Sequence, residues 1–175
     1  MDLRTLQRPL KDRYRQDATT AQLTLRADGG QTDSPLACSV DLGRAIYQAE
    51  AHQGVGGAGG AACSGDLLLG ALAACAQLTC QLVATNMGIA TTSIRVTVEG
   101  DMDLRGTLGL AGDVPVGFSA IRTRFAIDAP GATAEQLRAL REKTEQYCVV
   151  LQTLQQPPPI TGTWTTGDGA ALTAD

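Results

Sequence analysis

A chain of 175 residues can form one domain with its own core, and 43% hydrophobic against 18% charged residues excludes a disordered segment. Its net charge of −4 leaves no basic footprint, so no nucleic-acid partner is expected. Aromatic residues make up only 3%, which predicts a core of small side chains that lets helices approach closely.

The first residues, MDLRTLQRPLKDRYRQ, carry charges throughout and lack the apolar run of a signal peptide. They read as a polar helical arm over 1–17, and a cytoplasmic location is expected. Ala21, Leu23, Leu25 and Ala27 alternate with polar residues, predicting a half-buried strand that ends near Arg26. DGGQTDSP supplies turn chemistry. Leu36, Cys38, Val40 and Leu42 then predict a second strand and a hairpin. The stretch GVGGAGG over 54–60 reads as a flexible connection. It lacks the Lys-Ser/Thr that would make it a phosphate loop.

From Leu67 to Ile94 there is no charged residue. Ser64 predicts an N-cap, Asp66 places a carboxylate in the first helical turn, and Asn86 and Gly88 are stop signals. A helix over about 65–85 follows. Gln77, Thr79 and Gln81, the many alanines and the missing aromatic belt favour a buried central helix over a membrane span. Strands are expected around Ile94–Val98, Met102–Leu108 and Ile121–Ile127. Thr133 and Gln136 predict a capping box for a second amphipathic helix carrying Leu137, Leu140, Tyr147, Cys148, Leu151 and Leu154. Pro157 to Pro159 end it, and Ile160–Thr165 can form a last strand. The order β-β-α-β-β-β-α-β predicts an α+β fold with a largely antiparallel sheet, one domain over residues 1–175.

Five cysteines without an export signal do not suggest a secreted disulfide framework. No CxxC occurs and His52 is the only histidine, so neither a zinc site nor a Cys-His pair is expected, and His52 reads as a solvated loop residue. Cys75 lies in the middle of the uncharged helix, where a free cysteine is ordinarily a small core residue. Cys80 points roughly 140° away around the helix, and about 18 Å of helical rise separates Cys63 from Cys75. Cys38 falls on the apolar face of a strand. Cys148, on another helix, is left free to meet Cys75, though the sequence alone does not bring them together.

The stretch CSGDLLLGALAACAQLTCQLVATNMGI resembles the central helix of the OsmC/Ohr family, named for osmotically inducible protein C and organic hydroperoxide resistance protein. EQYCVVLQTL resembles that family's second cysteine-bearing helix. The resemblance spans about residues 20–165 and implies an OsmC-like α+β fold, a peroxidatic Cys75 and a resolving Cys148. It also implies reduction of organic hydroperoxides at the expense of a dithiol reductant, without a cofactor or metal, in an intertwined homodimer. Family peroxidases carry a glutamate ten residues before the first cysteine, which orients an arginine over the thiolate. Gly65 stands there, with the shorter Asp66 next to it, and Asp66 is read equally as simple charge at a helix start. The arginine is expected from the N-terminal hairpin, Arg26 in preference to Arg44. Many members have a proline after the second cysteine, where this chain has Val149. The alternative reading is a redox-sensing or ligand-binding protein that keeps the fold without turnover.

Overall fold

The computed structural model describes residues 3–26, 28–31, 37–41 and 45–172. Arg44, together with Ala27, Leu36 and Leu42, lies outside them. Helix α1 (Leu3–Gln16) is followed by a 3₁₀ turn at Ala18–Ala21 and by strands β1 (Asp28–Gln31), β2 (Ala37–Asp41) and β3 (Ile46–Glu50). Helix α2 (Ser64–Met87) leads to β4 (Ser93–Met102), the single turn α3 (Leu104–Thr107), β5 (Phe118–Asp128), α4 (Ala134–Tyr147) and α5 (Val149–Gln155). The α+β class stands. The strands form two antiparallel sheets, β1-β2-β3 and β4-β5.

Several elements differ from the expected order. Residues 22–26 form neither helix nor ladder, and Leu23 and Leu25 are 78% and 84% exposed. The strand forms one step later, where the turn-like Asp28–Gln31 pairs with β2 through its backbone, and β3 makes a third strand. No separate strand runs from Met102 to Leu108. The Asp103 carboxylate accepts the Arg105 N–H at 3.0 Å and starts a helical turn instead. Ile160–Trp164 likewise has no ladder, and only the bridge Thr165–Ala171 forms in that region.

Helix α2 begins one residue earlier than expected. The Cys63 N–H donates to the Asp66 carboxylate at 2.9 Å, closing a capping box. It ends at Gly88, whose φ of +69° is the left-handed conformation that glycine adopts without strain, while the Ile89 N–H returns to the Ala84 carbonyl at 2.9 Å.

Helix α2 is buried on one side only. Leu72, Ala76, Cys80 and Ala84, four residues apart, form the buried stripe, whereas Leu68, Leu78 and Leu82 are exposed. By length and composition it is the one described helix able to cross a membrane. In the fold it packs against β4, α4 and α5. Phe125 of β5 joins two core clusters, one around Cys80, Ala84, Ile89 and Leu140, the other around Leu72, Ala76 and Cys148. Gln77 ties α2 to the unpaired edge of β4. Its amide donates to the Ile94 carbonyl at 2.8 Å and accepts the Val96 N–H at 3.0 Å.

Candidate active site

The fold brings Cys75 and Cys148 together. Both are free thiols, Cys75 half-buried and Cys148 fully buried, and they pack in one cluster with Leu72, Ala76, Val96 and Leu151. Cys75 comes from the middle of α2. Cys148 sits at a break that the helical periodicity did not predict, where one continuous helix was expected.

The break has a specific anatomy. Cys148 leaves helical geometry, with φ −75° and ψ 102°. Its N–H still donates to Thr144 O at 3.0 Å and its carbonyl still accepts from the Gln152 N–H at 2.9 Å, so it ends α4 and starts α5 at once. The next two amides, of Val149 and Val150, are released from the helical ladder, and both draw the Cys75 thiol down. The Glu145 carbonyl, which an unbroken helix would pair with Val149, is taken over by the Gln152 side chain at 2.9 Å.

These donors set the electrostatics of the pair. Burial is the largest single influence on the Cys75 thiol and pushes it up. Against it act the Val150 N–H, the Cys148 thiol, the Thr79 hydroxyl at 4.0 Å and the Val149 N–H, and together they bring Cys75 below the ordinary thiol value. Cys148 goes the other way. Burial raises it and the neighbouring Cys75 raises it further, against the pull of the Leu151 and Val150 amides. Cys75 therefore ionises first, with Cys148 still protonated and donating to it. Such an arrangement can present a nucleophilic thiolate beside a second thiol that is ready to condense with its oxidised form.

The remaining candidates are placed elsewhere. Asp66 lies nine residues before Cys75, about 13 Å along the helix axis, and its carboxylate is held below the ordinary range chiefly by the Cys63 N–H. Arg26 lies in the exposed extended segment before β1, and among the described residues no arginine is one of the groups that shift Cys75. At Gly65 a Cβ would stand 3.3 Å from the Phe118 ring, a tight contact that the ring would have to ease for a larger residue to stand there. His52 is exposed, with Nδ1 accepting the Gly54 N–H at 3.0 Å. In the glycine-rich loop the Gly60 N–H is engaged by the Glu50 carboxylate at 2.9 Å, a partner that would repel phosphate. Cys80 is buried against Thr144, and burial raises its thiol. Sequence reasoning missed the Val149 and Val150 amides and Thr79. The only trace of them in the sequence is the Val-Val pair after Cys148, with Gln152 one turn beyond.

No curated protein sequence matches the chain. Among solved structures it is similar to an OsmC-like protein from Mycoplasma pneumoniae (TM-score 0.65, 16% identity, covering 78% of this chain and 90% of that one). It is also similar to an organic hydroperoxide resistance protein from Elizabethkingia anophelis (0.57, 21%, 78% and 91%). A third is an organic hydroperoxide resistance protein OsmC from Legionella pneumophila (0.55, 18%, 77% and 90%). At these identities the likeness is one of fold. The family model described as OsmC-like protein matches residues 57–162, which hold α2, both thiols and the break between α4 and α5. The chain belongs to the OsmC-like protein family.

Proposed function

We propose that this protein is a thiol-dependent peroxidase that reduces organic hydroperoxides through Cys75 and Cys148. The observation that carries the reading is the pairing of the two thiols with opposite shifts, Cys75 down and Cys148 up, beneath the freed amides of Val149 and Val150. The Cys75 thiolate attacks the terminal peroxide oxygen. An S–O bond forms, the O–O bond breaks, and the alkoxide leaves and takes up a proton as the alcohol. Cys148 then attacks the sulfenic sulfur, the S–S bond forms and water leaves. An external dithiol reduces this disulfide by two exchange steps and is itself oxidised to a disulfide. Leu72, Val96 and Leu151 around the pair favour an alkyl group over water, and so an organic peroxide over hydrogen peroxide. Arg26 is retained as a candidate cation brought in by the N-terminal segment.

The exposed apolar segments, Leu23, Leu25, Ile160 and Trp164 among them, support a homodimer in which a second copy covers these segments and the outer face of α2. That arrangement, and the reducing cytoplasm that keeps both thiols free between cycles, complete the proposal. The test is peroxide consumption with a dithiol reductant, cumene hydroperoxide against hydrogen peroxide. Wild type is expected to prefer the organic peroxide. Cys75→Ser should abolish turnover, and Cys148→Ser should allow a single oxidation that does not cycle. A second reading, a redox sensor without turnover, is favoured by Gly65 standing where the family's glutamate belongs, packed close to the Phe118 ring. Oxidation of wild type once per chain with no steady-state consumption would establish it.

A further inference from the structure

The break between α4 and α5 lies against the thiol pair. Val150 and Leu151, just beyond it, pack with Cys75 on the cluster of Leu72, Ala76 and Cys148. The local sequence does not force a break. Residues 140–155 hold neither proline nor glycine, and a helical ψ at Cys148 in place of 102° would join α4 and α5 into one helix. Closure would return the Val149 N–H to the carbonyl four residues back, that of Glu145. That carbonyl is already taken, because the Gln152 side-chain amide reaches back seven residues and donates to it at 2.9 Å. The Gln152 main-chain N–H meanwhile donates to the Cys148 carbonyl, also at 2.9 Å. One residue of α5 thus holds both α4 and the pivot.

We propose that Gln152 is a positioning residue for the thiol pair. By occupying the Glu145 carbonyl it keeps the helix open at Cys148 and keeps the Val149 and Val150 amides out of the helical ladder, beside Cys75. This role rests on the reading of Cys75 as the reactive thiol. Gln152 is not among the groups that shift Cys75, so it acts through the main chain and not on the sulfur. The energetic logic is an exchange. Opening the helix gives up one main-chain hydrogen bond to Glu145, and the Gln152 amide replaces it, so the carbonyl stays paired. Without that donor the open form leaves the carbonyl to solvent, while the closed form regains a main-chain bond. The balance then moves toward closure.

The test is alkylation of Cys75 by iodoacetamide as a function of pH, located by peptide mapping. No peroxide is used, so this result and the peroxide-consumption assay fail independently. Among the described residues Cys148 is the one titratable group that acts on Cys75, so the profile reports on this region. Gln152→Met keeps length and helix propensity and loses the donor. It should slow alkylation at pH 7 roughly fivefold, the weight of one net hydrogen bond, and move the profile to higher pH. In Val149→Pro the ring itself blocks closure onto the Glu145 carbonyl, and no N–H is left to be recaptured. Adding Gln152→Met to that variant should change the rate by less than about twofold. Gln152→Asn, with its amide one methylene short, should match Gln152→Met and serves if the latter loses its helical circular dichroism. A Gln152 that only stabilises the fold gives a lower urea midpoint with the wild-type pH profile, and that result overturns the proposal. So does equal slowing by Gln152→Met with and without the proline.

Discussion

At the scale of single residues, the Cys75 thiol is drawn down by the Val150 and Val149 amides as well as by the Cys148 and Thr79 side chains. Val149 is the informative position. Proline there would delete one N–H donor while fitting the backbone, because its fixed φ suits a first helical position and Cys148 already has the extended ψ that precedes proline. Val149→Pro is expected to raise the Cys75 thiol and slow its alkylation by iodoacetamide at pH 7, and Val149→Ala to leave both unchanged. Thr79→Val should act in the same direction as the proline, through the lost hydroxyl. The pH dependence follows from the directions. Alkylation of Cys75 should rise on the acid side of the ordinary thiol value of about 8.5, and that of Cys148 on its alkaline side. Because the folded state lowers Cys75, its contribution to stability is present above the ordinary value and is lost as pH falls through the folded value. Cys148, raised by folding, contributes below the ordinary value, and that contribution is lost as pH rises through its folded value. Cys75 and Cys148 were legible as a pair only through their family resemblance, since periodicity alone assigns Cys75 to the core. Beyond the Val-Val pair the amides left no mark, because any residue but proline carries one.

Among the elements, α2 is held to β4 by Gln77 as well as by apolar packing. Replacing it with leucine leaves the Ile94 carbonyl and the Val96 N–H unpaired, and is expected to cost about 2 kcal/mol in urea unfolding. Gln77→Glu should cost more at neutral pH, where a carboxylate faces the Ile94 carbonyl, and recover on acidification. Leu140→Ala, at a fully buried position between α4 and α2, should cost about 3 kcal/mol by the same measurement. The ends of α2 were readable because caps are local chemistry, and so was the start of α4, where Thr133 and Gln136 close the expected capping box at 3.1 and 2.8 Å. The break at Cys148 was not readable. Cys148 keeps both helical hydrogen bonds of its own, and Leu140, Thr144, Cys148 and Leu151 stay in phase across it. The hairpin misled for a different reason. Leu23 and Leu25 alternate like a strand but find no ladder within one chain, while Asp28–Gln31 pairs through glycine-rich backbone that carries no hydrophobic signal.

For the molecule as a whole, the exposed leucines of residues 22–26, the outer face of α2 and the unladdered Ile160–Trp164 stretch leave large apolar side chains in solvent, surface that a second copy would cover. Sedimentation at micromolar concentration is expected to give a dimer, and Leu25→Asp/Ile160→Asp a monomer. A wild-type monomer would sink the dimer and leave the thiol geometry within the chain untouched. One consequence of composition reaches across the whole particle. Since the chain has only two lysines, Lys11 of α1 and Lys143 of α4, and both line the groove between these helices and α2, acylating reagents find their side-chain amines in that one place. A lysine-directed dye thus marks Lys11 and Lys143, told apart from the α-amino group by peptide mapping, and leaves the thiols, the sheets and the long helix unmarked.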